Sequence, residues 1–217
     1  MNAATRTQPQ TPQQLVALAT QHAAYFNPGT GWHYSNTNFI LLGMIVKKIT
    51  QGSLSAALQM NAIDAAKLAH TFFDGEQTIT GTLASGFDTS GTDVTHLYNP
   101  SWAWADGAMV STTGELADWV TALYGGAVLD DSARAELTAN PVTTDQGETY
   151  GLGTMIFPYS ATGGAGVAYG HNGDISGYHS MAYYFPKEKT SIAVVVTADG
   201  ADPNDPFVSA LGVLLGY

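Results

Sequence analysis

Three apolar runs in the final third of the chain, YGLGTMIF, GYHSMAYYFP and TSIAVVVTA, limit the fold more than any other feature of the sequence. Their length and their aromatic and β-branched content make each a strand. The four-residue PKEK between the second and third joins that pair as a hairpin. The third run is apolar enough to lie in the centre of a sheet. From Asp205 to Gly216 the period becomes helical, which predicts a closing helix.

The earlier residues follow a helical period instead. Thr11 is a good N-cap and Pro12 suits the first helical position. Leu15, Leu18, His22 and Tyr25/Phe26 continue the pattern until Asn27, Pro28 and Gly29 break it. A second helix is predicted over 37–50. Its segment 39–46 is apolar nearly all round and therefore expected to be buried, with Lys47 and Lys48 at its C-terminal dipole and Gly52 as its stop. A third helix is expected over 54–69, and hairpins or long loops over 75–100. Thr112 and Glu115 have capping-box spacing ahead of a stripe of Leu116, Trp119, Val120 and Leu123, and Gly125 and Gly126 close that helix. The order, helices first and antiparallel strands with a last helix afterwards, is α+β. Residues 1–10 read as a disordered lead-in, about 11–125 as a helical lobe and about 148–217 as a strand-and-helix part.

Composition removes several functions. With 7 Lys and Arg against 18 Asp and Glu, the formal net charge is −11, and such a surface repels a phosphate backbone. Nucleic acid is thus not an expected partner. No apolar run reaches the roughly 18–20 residues of a membrane span, and the opening MNAATRTQPQTPQQ has no apolar core of a secretory signal. Cysteine is absent, so thiolate nucleophiles, thiolate metal sites and disulfides are too. The histidines lack H-x-x-x-H or H-x-H spacing, and there is no calcium-loop pattern, so no metal is expected. Neither a G-x-S-x-G elbow nor a glycine-rich phosphate loop occurs.

Two polar stretches could carry chemistry. In PGTGWHYSNTNFILLG, Tyr34, Ser35 and Asn36 stand between a turn and an apolar helix. Ser35 or Asn36 could simply cap that helix. Alternatively, the positive helix end would favour a Tyr34 phenolate able to relay protons, while Asn36 donates its amide to a substrate carbonyl. In GHNGDISGYHS, His171, Gly173 and Gly177 precede a predicted strand. A lone histidine there is more often structural. Gly173, however, would let a ligand approach the backbone, where an N–H near Asp174 could act as an oxyanion-hole donor.

Taken together, Y-S-N opening an apolar helix and H-x-G opening a terminal strand pair resemble the serine β-lactamase and penicillin-binding superfamily. The similar branch is that of D-alanyl-D-alanine carboxypeptidases, class C β-lactamases and family VIII esterases. PGTGWHYSNTNFILLGMIVKKITQG, AWADGAMVSTTGELADWVTAL, YGLGTMIF and GHNGDISGYHSMAYYFPKEKTSIAVVVTADG are each similar to segments of that branch, covering about residues 12–216. The resemblance implies Tyr34 as proton relay, Asn36 as carbonyl-binding amide, His171 in the place of the lysine of K-T-G, and the Asp174 N–H as oxyanion donor. It implies no cofactor, a periplasmic or secreted setting, and acyl transfer from a serine ester to water. A D-Ala-D-Ala peptide, a β-lactam or a small ester would be the substrate, with histidine in the third motif favouring peptidase or esterase.

The superfamily acylates the serine of S-x-x-K, and none of the thirteen serines here has lysine three positions later. The expectation is therefore a partial β-lactamase-like domain without the N-terminal strands and the nucleophile helix. It would be the C-terminal portion of a longer enzyme, a non-catalytic binding or regulatory pseudoenzyme, or half of a site completed by a complementing N-terminal segment or second chain. Without that lysine, the phenol of Tyr34 in this chain alone loses its cationic neighbour and should relax to a pKa near 10.

Overall fold

A computed structural model describes residues 6–144 and 147–216. The elements, in chain order, are α1 (Pro12–Ala19), α2 (Asn36–Thr50), α3 (Leu54–Leu58), β1 (Phe72–Phe73), β2 (Met109–Val110), α4 (Thr113–Gly125), α5 (Asp131–Glu136), β3 (Val142–Thr143), β4 (Thr149–Tyr150), β5 (Met155–Phe157), β6 (Ala168–Ile175), β7 (Tyr178–Phe185), β8 (Thr190–Val196) and α6 (Asn204–Leu215). Strands β3 to β8 form one antiparallel sheet in chain order, and β1 pairs with β2 in a separate ribbon. The fold is α+β, as the sequence implies.

Alternation along β7 builds the core. Met181, Tyr183 and Phe185 point to one face, where Phe207 and Leu211 of α6 cover them. Ala182 and Tyr184 point to the other, against Val120 and Tyr124 of α4. Such two-sided burial follows from the period of two in a strand that is apolar at every position. A second core joins Leu15 of α1, Ile40 of α2, Leu54 of α3, Phe73 and Trp104. Residues 6–10 are attached to this half: Arg6 lies over the Trp102 ring at 4.5 Å, and the Gln10 N–H donates to Ser101 Oγ at 2.8 Å. Residues 1–5 of the expected lead-in lie outside the described residues.

Several elements differ from expectation. The first helix stops at Ala19, and beyond it the chain turns, leaving Tyr25 78% exposed against the His33 ring. The α2 helix is only half covered. Ile40 and Gly43 are buried, whereas Leu42 is 54% and Ile49 75% exposed, because α1, α3 and the turn at 104–106 leave the other side uncovered. The 54–69 segment is a short helix that widens into a π turn at Gln59–Ile63 and ends with Lys67 in the left-handed region. YGLGTMIF is two strands, β4 and β5, paired with each other through a tight turn, and α5 has no counterpart in the sequence reading. The strand expected at the centre, β8, is at the edge: its only strand partner among the described residues is β7. Its apolar character reflects contacts above and below, not lateral neighbours.

The capping box at Thr112 is half made. Thr112 Oγ1 accepts from the Glu115 N–H at 3.1 Å, but the Glu115 carboxylate turns to the N–H groups of Ala69 and His70 and the Thr71 hydroxyl. Burial alone would raise its pKa; the hydrogen bonds from Thr71, His70 and Ala69 outweigh it and hold it below the usual 4.5. A complete box occurs instead at Thr11 and Gln14.

A carboxylate with a depressed folded pKa stabilises above its unfolded value and loses that contribution as pH falls. Glu115→Gln is therefore expected to flatten the acid limb of stability below pH about 4.5, read from urea midpoints across pH. A Cβ on Gly170 would lie 2.0 Å from the Ala182 carbonyl oxygen. Gly170→Ala should accordingly lose about 1–3 kcal/mol in urea unfolding, the usual cost of overpacking, while Gly200→Ala, with nothing within 4 Å, should lose far less.

Candidate active site

The hairpin of β6 and β7 sets the geometry. Seven consecutive pairs run from Tyr169 with Tyr184 to Ile175 with Tyr178. The turn between them, Ser176 and Gly177, needs the left-handed φ of +83° at Gly177, and a Cβ there would also strike Val94 at 2.6 Å. Asp199 holds this turn by accepting from the Gly177 N–H and the Ser176 hydroxyl. His171, Gly173 and Asp174 are thus inside β6 rather than ahead of a strand.

On its other side β6 is only partly covered. Strand β5 pairs with Ala168, Tyr169 and Gly170 and goes no further. Beyond Gly170, residues 171–175 have no backbone partner on that side among the described residues. Alternate N–H and C=O groups of this stretch are left open to an extended ligand.

Tyr34, in the loop ending at the α2 N-cap, reaches the same place. Its ring centroid lies 6.1 Å from His171, 6.0 Å from Tyr150 and 6.0 Å from Phe39. Trp32 packs on Tyr150 at 5.5 Å, which fixes the loop against the sheet. Tyr150 is the member of this group that the sequence did not single out. Its hydroxyl is 2.8 Å from His171 Nε2, and His171 Nδ1 is 2.6 Å from the Asn172 carbonyl oxygen. A carbonyl can only accept, so Nδ1 carries the proton and, in the neutral ring, Nε2 accepts from Tyr150. No local motif marks Tyr150; the β4–β5–β6 order alone brings it to His171.

Ser35 is the N-cap residue by position but makes no side-chain cap bond. Asn36 is exposed at the first position of α2 and has no side-chain hydrogen bond among the described residues, so its amide is free to face a ligand. Gly173 has a nearer constraint than a ligand: a Cβ there would lie 2.5 Å from Ser180 Oγ on β7. The Asp174 side chain is 83% exposed and pairs with His179 at 3.1 Å. It lies on the strand face opposite His171, beside Asn172, whose Oδ1 accepts from the Tyr183 hydroxyl. That face holds a hollow of about 410 Å³ between β6, β7 and residues 199–204.

Electrostatics reverse one expectation. Tyr34 is raised above 10, first by burial and then by the negative charge of Asp106. No cation is among the causes of the shift. Burial, with the neighbouring Tyr34 and Tyr124, raises Tyr150 as well. Both phenols keep their protons at neutral pH and can donate. Asp106 is the second residue missed by the sequence reading, although a lone acid inside WAWADGAM was a visible signal. Burial lifts its carboxyl to about 7.

Comparisons with known proteins establish the family and the fold. The Beta-lactamase family model matches residues 1–215, and the chain belongs to that family. A D-stereospecific amidohydrolase from Streptomyces sp. is 32% identical with a TM-score of 0.83, over 94% of this chain and 62% of its own. D-amino acid amidase from Ochrobactrum anthropi SV3, solved with D-phenylalanine, is 24% identical with a TM-score of 0.80, over 94% of this chain and 69% of its own, a likeness of fold. Human beta-lactamase-like 1 is 33% identical over 115 residues, 52% of this chain and 23% of its own. The chain spans less than two thirds of the length of the amidohydrolase and of the human relative. No described helix is long and apolar enough to cross a membrane.

Phenolate absorbance gives a direct check on the site. In the difference between the protein and its Tyr34→Phe variant, the Tyr34 midpoint should lie above 10. Asp106→Asn should lower that midpoint without restoring 10, because burial, the larger cause, remains.

Proposed function

We propose that this chain forms the substrate-binding and proton-relay walls of a serine acyl-transfer site that cleaves amides or esters of D-configured amino acids or peptides. The observation that carries the reading is the meeting of Tyr34 and His171 beside the open edge of β6 at 171–175. Identity of 32% to a D-stereospecific amidohydrolase supports an amide among the candidate substrates, which also include a D-Ala-D-Ala peptide, a β-lactam and a small ester.

In this reading the substrate lies along 171–175 as an added strand, with its acyl carbonyl between the Asp174 N–H and the Asn36 amide. A serine hydroxyl gives its proton to the accompanying lysine and forms the new ester bond as the amide C–N bond breaks, and the lysine's proton then replaces the one that Tyr34 gives up. The protonated Tyr34 phenol passes a proton to the leaving nitrogen, and water later cleaves the ester. Tyr150 holds the His171 ring so that it faces Tyr34. The sequence contains no S-x-x-K, so the serine and its lysine come from outside these residues, from a complementing segment or a second chain. The same absence favours a second reading, a binding or regulatory module that uses this cleft without reacting. A periplasmic or secreted setting belongs to either reading.

Incubated with a fluorescent penicillin, the chain is expected to remain unlabelled, since loss of nucleophile and base removes covalent chemistry. A neutral D-configured amide such as N-acetyl-D-phenylalaninamide should still shift the NMR signals of residues 34–36 and 171–175. Stoichiometric labelling would refute the missing nucleophile, and unmoved signals would refute the site.

A further inference from the structure

A strand added along 171–175 would have two faces, because successive side chains of a strand point to opposite sides. Every second side chain of such a ligand would lie on the face that carries Asn172 and Asp174. The cavity of about 410 Å³ opens on that face. Its lining includes Asn172, Gly173 and Asp174 of the open edge itself, His179 of β7, and Asp199 and Asp202 beyond β8. Neighbouring strands lie about 5 Å apart, so a side chain with a stem of several carbons, laid across β6, reaches from an added strand into this space.

The cavity lacks positive charge. Three carboxylates and one histidine line it, with neither lysine nor arginine among the described lining residues. His179 Nδ1 is 3.1 Å from Asp174 Oδ1. A carboxylate can only accept, so Nδ1 carries the proton, and in the neutral ring Nε2 is an acceptor. That nitrogen is buried, lies 3.3 Å from Asp199 Oδ1 and makes no hydrogen bond among the described residues. Two acceptors thus face each other without a donor between them. Asp199 is not free to turn away, since it also accepts from the Gly177 N–H and the Ser176 hydroxyl. Asp202 accepts from the Asn204 backbone N–H at 2.9 Å and its side-chain amide at 2.7 Å, which holds the carboxyl below the usual carboxylate range and takes up the positive end of α6. Resting on the proposed reading of the cleft, we propose that this cavity is a side-chain subsite that receives the ammonium or guanidinium group of a basic residue carried by a strand-like ligand. The ligand's cation lies among Asp174, Asp199 and Asp202 and supplies the positive charge that the neutral His179 ring does not. Protonation of the ring supplies the same charge from within, so ring proton and ligand cation compete. An acidic side chain at this position would meet three like charges.

The test titrates the full chain by NMR at pH 8 with N-acetylated tripeptide amides of D-alanine in which each position in turn carries D-lysine or its uncharged counterpart, D-norleucine. Strand alternation predicts that lysine binds roughly fivefold tighter than norleucine at alternate positions, the middle one or the two outer ones, and no tighter at the others. That gain should fall in Asp174→Asn, which keeps the backbone N–H, and should shrink at pH 5.5 as the His179 ring takes up a proton. Carboxyl ¹³C signals of the unaltered protein give a readout independent of any variant: those of Asp174 and Asp199 should move with lysine at the favoured position and stay in place with norleucine. An equal gain at every position would report only attraction to a chain of net charge −11 and would overturn the subsite, as would no gain at any. Either result leaves the cleft reading intact, because the norleucine peptides still bind. Failure of every peptide to bind would overturn the cleft reading, and the subsite with it.

Discussion

Everything at the candidate site depends on the pairing of β6 with β7. Seven paired positions lock the register, and a one-residue slip would exchange the faces that His171 and Asn172 present. The register is secured from both sides. Tyr183 and Phe185 can be buried only under α6, and Ala182 and Tyr184 fit only against α4. Gly170 adds a steric check, since the β7 backbone passes too close for any side chain. The hydrophobic effect thus fixes the position of a polar histidine, because the apolar residues opposite it have no other place to go.

Once His171 is fixed, the electrostatics follow from burial. The cleft gathers three rings, Tyr34, Tyr150 and His171, and one carboxyl, Asp106, without a lysine or arginine among them. In such surroundings the neutral forms are favoured, so both phenols are raised and Asp106 is lifted towards neutral pH. In this state the phenols can donate a proton. A cation, such as a neighbouring lysine, would shift the phenols and the carboxyl towards their charged forms.

Two surfaces of the described residues remain without a partner. Leu41, Leu42, Ile45 and Ile49 of α2 are exposed, and β8 offers its outer edge. The sequence reading took the apolar run of α2 as evidence of burial. Hydrophobic content shows what a helix side can be packed against, and only the neighbours decide whether it is.

By itself the sequence determined the α+β order, the Thr11 and Thr112 caps, the PKEK hairpin and the two motifs at Tyr34 and His171. These are local: each rests on a period, a cap or a turn within a few residues, where short-range sterics and hydrogen bonds suffice. Tertiary structure decided the rest. It put β8 at an edge, split YGLGTMIF into a hairpin, turned Glu115 from its own helix to the 69–71 backbone, and joined Tyr150 to His171. It also brought the charge of Asp106 to bear on Tyr34 and raised the pKa of a phenol expected to relax to near 10. Burial and the charge of a residue distant in sequence set that pKa, and neither exists until the two halves of the chain pack together.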